Sequence, residues 1–163
     1  MAGAQERLTE WLRDAHAMEQ QAETMLSKQS SRFEEYPELK TRIDQHIEET
    51  RSQAERLQGC LERRGESTSA LKDLSAKSSA MGPGLAQALT SDEVVKGSIA
   101  DVTFEHFEIA NYRALIQAAE DASDVETRRV CEGILGEEEA MAHWLEDHLP
   151  ATTHEYLQRE ATA

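Results

Sequence analysis

Four long stretches of this chain carry apolar residues every three to four positions, and only three prolines and eight glycines interrupt its 163 residues. That spacing puts side chains on one face of an α-helix, whereas a half-buried strand would alternate. The first stretch, about 4–30, aligns Leu8, Leu12, Ala15, Glu19, Ala22 and Leu26. The second, about 37–64, opens on Pro37, which suits a first helical position, and stops before Gly65, which suits a helix end. Its inward face reads Leu39, Ile43, His46, Glu49 or Thr50, Gln53, Leu57 and Cys60 or Leu61, so its centre is polar. The third, about 91–121, starts from a capping-box pair, Thr90 with Glu93, and aligns Val95, Ser98, Val102, Glu105, Ile109, Tyr112 and Ile116, with Glu108 at the edge. The fourth, about 124–149, starts from a second pair, Ser123 with Glu126, and aligns Val130, Ile134, Glu138, Met141 and Leu145. Pro150 is expected to end it, which leaves 150–163 as a short polar tail that is itself a candidate for helix.

Helices of roughly 26–31 residues span about 40–45 Å at 1.5 Å per residue. The links after the first and third are short, so each pair is expected to form an antiparallel hairpin. Residues 66–90 are Ser/Ala-rich and broken by Gly82-Pro83-Gly84, and read as a long connection holding one or two short helices. Two hairpins joined by one long crossover is the ferritin-like wiring. The expected fold is therefore an all-α, ferritin-like four-helix bundle filling 1–163 as a single domain.

Composition narrows the partners. Ala, Leu, Glu, Gln and Arg are plentiful helix formers, and aromatics make up only 5%. A net charge of −15 disfavours nucleic acid, whose binding rests on Lys and Arg, and anionic membranes too. It suits cations, and also plain solubility. Cys60 and Cys131 lie far apart and form no CxxC, so a reducing, cytoplasmic setting is expected. The start MAGAQERLTEWLRDAH has no apolar signal-like core, and no run of 18 apolar residues exists, so no membrane association is expected.

Each of the four stripes carries a carboxylate near its middle: Glu19, Glu49, Glu105 with Glu108, and Glu138. His46 lies three residues before Glu49, close enough on a helix to share one ion with it. Several carboxylates in one core cannot all remain ionised without cations, because burial and mutual repulsion both raise their pKa. Two divalent ions would neutralise them, and oxygen-rich ligation with about one imidazole suits iron or manganese. A single glutamate on such a stripe is ordinarily a rim residue; the repetition on four helices is what points to a metal site. His16 mirrors His46 by preceding Glu19 by three, but an exposed position is expected for it. His106 points about 100° from Glu105, which suits packing or a dimer contact. Tyr112 is placed to hydrogen-bond a carboxylate, or to be plain core, and Gln53 to orient Glu49.

WLRDAHAMEQQAETML, HIEETRSQAERL, FEHFEIANYRALI and LGEEEAMAHWL occur in that order and resemble the YciE/YciF family of bacterial ferritin-like proteins, over about residues 5–147. The resemblance implies a four-helix bundle with an extra short helix, a homodimer, kinship with the di-iron protein rubrerythrin, and an association with bacterial stress. The wider di-iron superfamily uses one Glu from each of two helices and Glu-x-x-His from each of the other two. By that resemblance Glu19 matches the first helix, Glu49 the second, Glu105 or Glu108 the third, and Glu138 the fourth. The histidines depart from the pattern: Ser52 lies three beyond Glu49, and Met141 three beyond Glu138. His46 could replace one imidazole from the other side of Glu49, and nothing evident replaces the second unless Glu108 or water does.

These readings lead to a homodimer with a carboxylate-bridged pair of metal ions, iron or alternatively manganese, held by Glu19, His46, Glu49, Glu105, Glu108 and Glu138, and open to reaction with peroxide or dioxygen. The competing readings are a non-catalytic structural or interaction protein of the stress response and, more weakly, an iron-storage shell.

Overall fold

The computed structural model describes residues 2–67 and 93–162. They form four helices: α1, Ala2–Ser30; α2, Pro37–Arg63; α3, Val94–Asp121; and α4, Val125–Glu160. Among the described residues there is no strand. Helix α1 packs against α2 and α3, and α4 packs against α3 and α2, so each helix has two neighbours around a common interior. The short turns, 31–36 and 122–124, make α1/α2 and α3/α4 antiparallel hairpins. The connection expected to hold a short helix falls almost wholly outside the described residues. None of the described helices is long and apolar enough to cross a membrane.

The helix faces follow the apolar period. Leu8, Leu12, Ala15, Glu19, Ala22 and Leu26 are all buried on α1, and Ile134, Glu138, Met141 and Leu145 on α4. They feed two apolar clusters. One contains Leu8, Leu12, Leu57, Leu61, Leu115 and Ile134. The other contains Leu26, Phe33, Leu39, Ile43, Met141 and Leu145. The polar centre of α2 lies where they meet.

The ends are fastened by polar contacts. Gly65, at φ 85°, sits just past α2, and the N–H of Glu66 returns to the carbonyl of Leu61 at 3.1 Å. Glycine carries no Cβ penalty in that left-handed conformation. Arg64 donates to Asp124 at 2.9 Å, to Thr9 at 2.7 Å and to the Gln5 carbonyl at 2.7 Å. It thereby ties α1, the end of α2 and the α3/α4 turn together.

Three boundaries differ from the sequence expectation. Helix α3 begins at Val94 with Glu93 as its cap residue; Thr90 lies outside the described residues. The cap of α4 is Asp124, whose side chain accepts from the Thr127 N–H at 3.0 Å. Ser123 instead takes the left-handed turn position, at φ 57°. Most consequentially, α4 continues through Pro150 to Glu160. Proline removes one backbone hydrogen bond, but the extension has contacts of its own. Tyr156 packs on the second apolar cluster, and Arg159 donates to the Glu35 carbonyl at 2.7 Å and stacks 5.1 Å over the Tyr36 ring.

Candidate metal centre

Where the two apolar clusters meet, His46 of α2, Glu105 and Glu108 of α3, and Glu138 of α4 each offer a ligand atom, all within 4.8 Å of one another. All four are no more than 1% exposed. His46 Nε2 lies 3.3 Å from Glu105 Oε1 and 3.5 Å from Glu138 Oε2. Its other nitrogen, Nδ1, lies 2.7 Å from Glu49 Oε2. This is the arrangement in which a carboxylate fixes the tautomer of an imidazole and leaves the opposite nitrogen free to face a metal.

The structure places Glu49 and Glu19 beside this group rather than in it. The Glu49 side chain is 25% exposed and already receives Gln45 Nε2 at 3.0 Å and Arg42 Nη1 at 3.3 Å, besides His46. Thr50 is the buried neighbour. Glu19 is buried and accepts a hydrogen bond from the Tyr112 hydroxyl. It is close enough that the charges of Glu138 and Glu105 act on it. Gln53 is buried too, but its amide donates to Glu137 at 2.9 Å rather than to Glu49.

The electrostatics describe a cluster holding protons. Burial raises Glu105 to about 8 against the pull of His46. Burial and then the neighbouring carboxylates push Glu108 well above the ordinary range, and burial followed by Glu138 does the same to Glu19. Burial opposes a charged His46, but the Glu105 charge and hydrogen bonds to Glu105, Glu138 and Glu49 outweigh it and raise the imidazole well above 6.5. Burial likewise opposes Glu138 ionisation, yet His46 holds that carboxyl below its ordinary value. His46 and Glu138 therefore form a charged pair, while burial favours the protonated form of Glu105, Glu108 and Glu19.

A metal would fit this donor set. Glu19 Oε2, Glu105 Oε2 and Glu108 Oε1 are buried with no hydrogen-bond partner, and the Glu138 carboxylate faces His46 Nε2 at 3.5 Å. Each orphaned acceptor costs about 1–3 kcal/mol. A divalent cation would engage several of them at once.

Two neighbouring polar residues run against the sequence reading. His16, expected at the surface, is 5% exposed, and burial lowers its pKa. Asp101, not singled out from sequence, is 2% exposed one turn before Glu105. Its signal was the i,i+4 relation to Glu105. His106 is exposed and pairs with Glu146 at 2.7 Å, and His143 is exposed as well.

Fold and site together define an all-α bundle protein with a buried histidine–carboxylate group able to hold a metal ion. The chain belongs to the family described as a domain of unknown function, DUF892, whose model matches residues 3–158. The kinship with YciE/YciF proteins expected from the four sequence blocks holds. A crystal structure of a protein from Xanthomonas campestris pv. campestris is 44% identical, with a TM-score of 0.82, over 98% of this chain and 99% of that one. The Escherichia coli stress protein YciF is 23% identical, with a TM-score of 0.74, over 94% and 99% of the two chains. YcfI from Rhodopseudomonas palustris is 26% identical, with a TM-score of 0.69, over 88% and 92%.

Proposed function

We propose that this protein is a homodimeric, cytoplasmic stress protein whose bundle interior binds a pair of iron or manganese ions. The observation that carries the reading is the buried group His46, Glu105, Glu108 and Glu138 with its orphaned oxygens. His46 Nε2, Glu105, Glu108 and Glu138 would be the inner donors. Glu19 would extend the group toward a second ion, and Glu49 would orient His46 or join as a ligand. The ions, when bound, would supply electrons to peroxide or dioxygen. The protein's own part is to exclude water, hold His46 through Glu49, and keep the hydroxyl proton of Tyr112 at Glu19. The stress assignment draws on the fold shared with YciF.

Metal analysis after anaerobic purification tests the proposal. The wild type should carry about two ions per chain, and a Glu49→Ala/Glu138→Ala variant should carry none. Peroxide should be consumed by the iron(II)-loaded wild type and not by that variant. Equal metal content in the two proteins would remove the site; equal peroxide consumption would remove the chemistry alone.

A second reading, a non-catalytic bundle, rests on the single imidazole and on the ion pair between His46 and Glu138, which partly neutralises the interior with protons alone. It predicts no change in Tm with iron(II) or manganese(II), since a ligand that binds only the folded state must raise it.

A further inference from the structure

His46 is held from behind by a carboxylate that lies outside the ligand group. Its Nδ1 is 2.7 Å from Glu49 Oε2, while Nε2 is 3.3 Å from Glu105 Oε1 and 3.5 Å from Glu138 Oε2. The two ring nitrogens point in diverging directions, so Glu49 stands across the imidazole from the other acids. Both Glu49 oxygens are engaged from α2 itself. Arg42 Nη1 donates to Oε2 at 3.3 Å, and Gln45 Nε2 donates to Oε1 at 3.0 Å. Arg42, Gln45 and His46 precede Glu49 by seven, four and three residues, which sets all four on one side of the helix. The clamp therefore forms with α2 and draws on no other helix.

Charge separates the clamp from the ligand group. Glu19, Glu105, Glu108 and Glu138 are each no more than 1% exposed, and as carboxylates these four would match the charge of two divalent ions. Glu49 would be a fifth, and its charge is already matched by Arg42. The Arg42 side chain is only 12% exposed. A guanidinium so covered needs its partner, because a Glu49 that turned toward the interior would leave that charge unmatched. The di-iron pattern places a ligating glutamate three residues before a histidine on one helix. Here the order is reversed, and an arginine stands on the glutamate.

We propose that Arg42 is a positioning residue of the metal centre: with Gln45 it keeps Glu49 off the metal and aimed at His46 Nδ1, so that Nε2 is presented to the ion. This rests on the reading of the interior as a metal centre, and it decides the part Glu49 plays there. An imidazole that ligates through Nε2 carries its proton on Nδ1, and that N–H donates to Glu49, which strengthens the ring as a ligand.

The test is manganese(II) titration of full-length, metal-free protein, followed by loss of the paramagnetic resonance signal of the free aquo ion. Glu49→Gln should bind as many ions as the wild type, about 10–100-fold more weakly. Arg42→Ala should also keep the full number and weaken binding by about threefold to tenfold. Arg42→Lys, which restores the charge, should recover part of that loss. Circular dichroism melts establish that each variant is folded. The zinc(II)-loaded proteins add a readout that packing alone does not move. The wild type should show a slowly exchanging proton resonance from His46 Nδ1–H, and Arg42→Ala should lose it to exchange with water. Loss of a whole ion equivalent in folded Glu49→Gln would make Glu49 a ligand and overturn the proposal, while leaving the metal centre standing. An Arg42→Ala isotherm and Nδ1–H resonance superposable on those of the wild type would overturn it as well. An absence of binding to the wild type would remove the metal centre and the proposal together.

Discussion

The two halves of the interior solve the same packing problem with opposite chemistry. At one end Leu8, Leu12, Leu57, Leu61 and Ile134 are all 0% exposed and purely apolar. In the middle His46, Glu105, Glu108 and Glu138 are as deeply buried and almost wholly polar. Both come from helical stripes of the same period, and α2 and α4 contribute to each. The end stabilises the fold by roughly 1.5–3 kcal/mol for each large side chain removed from water. The middle works against it, since buried acids must hold protons or find cations. A helical stripe therefore sets depth, and residue chemistry sets whether that depth serves stability or a site.

The pH dependence should expose this contrast most strongly. Unfolded, a glutamate titrates near 4.5; folded, Glu105 titrates near 8. Between those values the folded state binds more protons, so stability falls as pH rises. His46 acts in the same direction: its contribution is full below 6.5 and is lost as pH rises through its elevated folded value. The metal-free protein should lose on the order of 4 kcal/mol between about pH 5 and pH 8, read as a drop in Tm. Manganese(II) should flatten that slope.

Cutting the apolar end comes next. Leu57→Ala should cost about 3 kcal/mol at any pH, with a fall in Tm of about 10 °C. A smaller effect of opposite sign is expected in the middle: Glu108→Gln should raise metal-free stability at pH 8 by about 1–2 kcal/mol in urea denaturation. Least of all, Arg7→Ala, which breaks an exposed pair with Glu10 at 2.6 Å, should change stability by less than about 0.5 kcal/mol. An Arg7→Ala loss as large as that of Leu57→Ala would contradict the division between core and surface.

The sequence was legible wherever one residue type dominated a position. The four helices and the buried positions of Glu19, His46, Glu105, Glu108 and Glu138 follow from the 3.6-residue period. It was ambiguous where adjacent residues compete for a face. Glu49 and Thr50 both fit the α2 stripe; Thr50 is buried, and Glu49 stays at the rim, where Arg42 and Gln45 hold it. Val102 and Asp101 both follow Ser98 at helical spacing, and hydropathy favours the valine although the aspartate is deeper. Helix α4 outlasts Pro150 because Tyr156 and Arg159 make contacts with residues distant in sequence, which no local rule registers.

The most direct measurement is anomalous diffraction from crystals of the protein grown with manganese(II) at neutral pH. A pair of strong peaks inside the bundle, bounded by His46 Nε2, Glu105, Glu108 and Glu138 with Glu19 alongside, is the expected result. Manganese confined to the outer surface, with those side chains still paired only to one another, would contradict a metal centre.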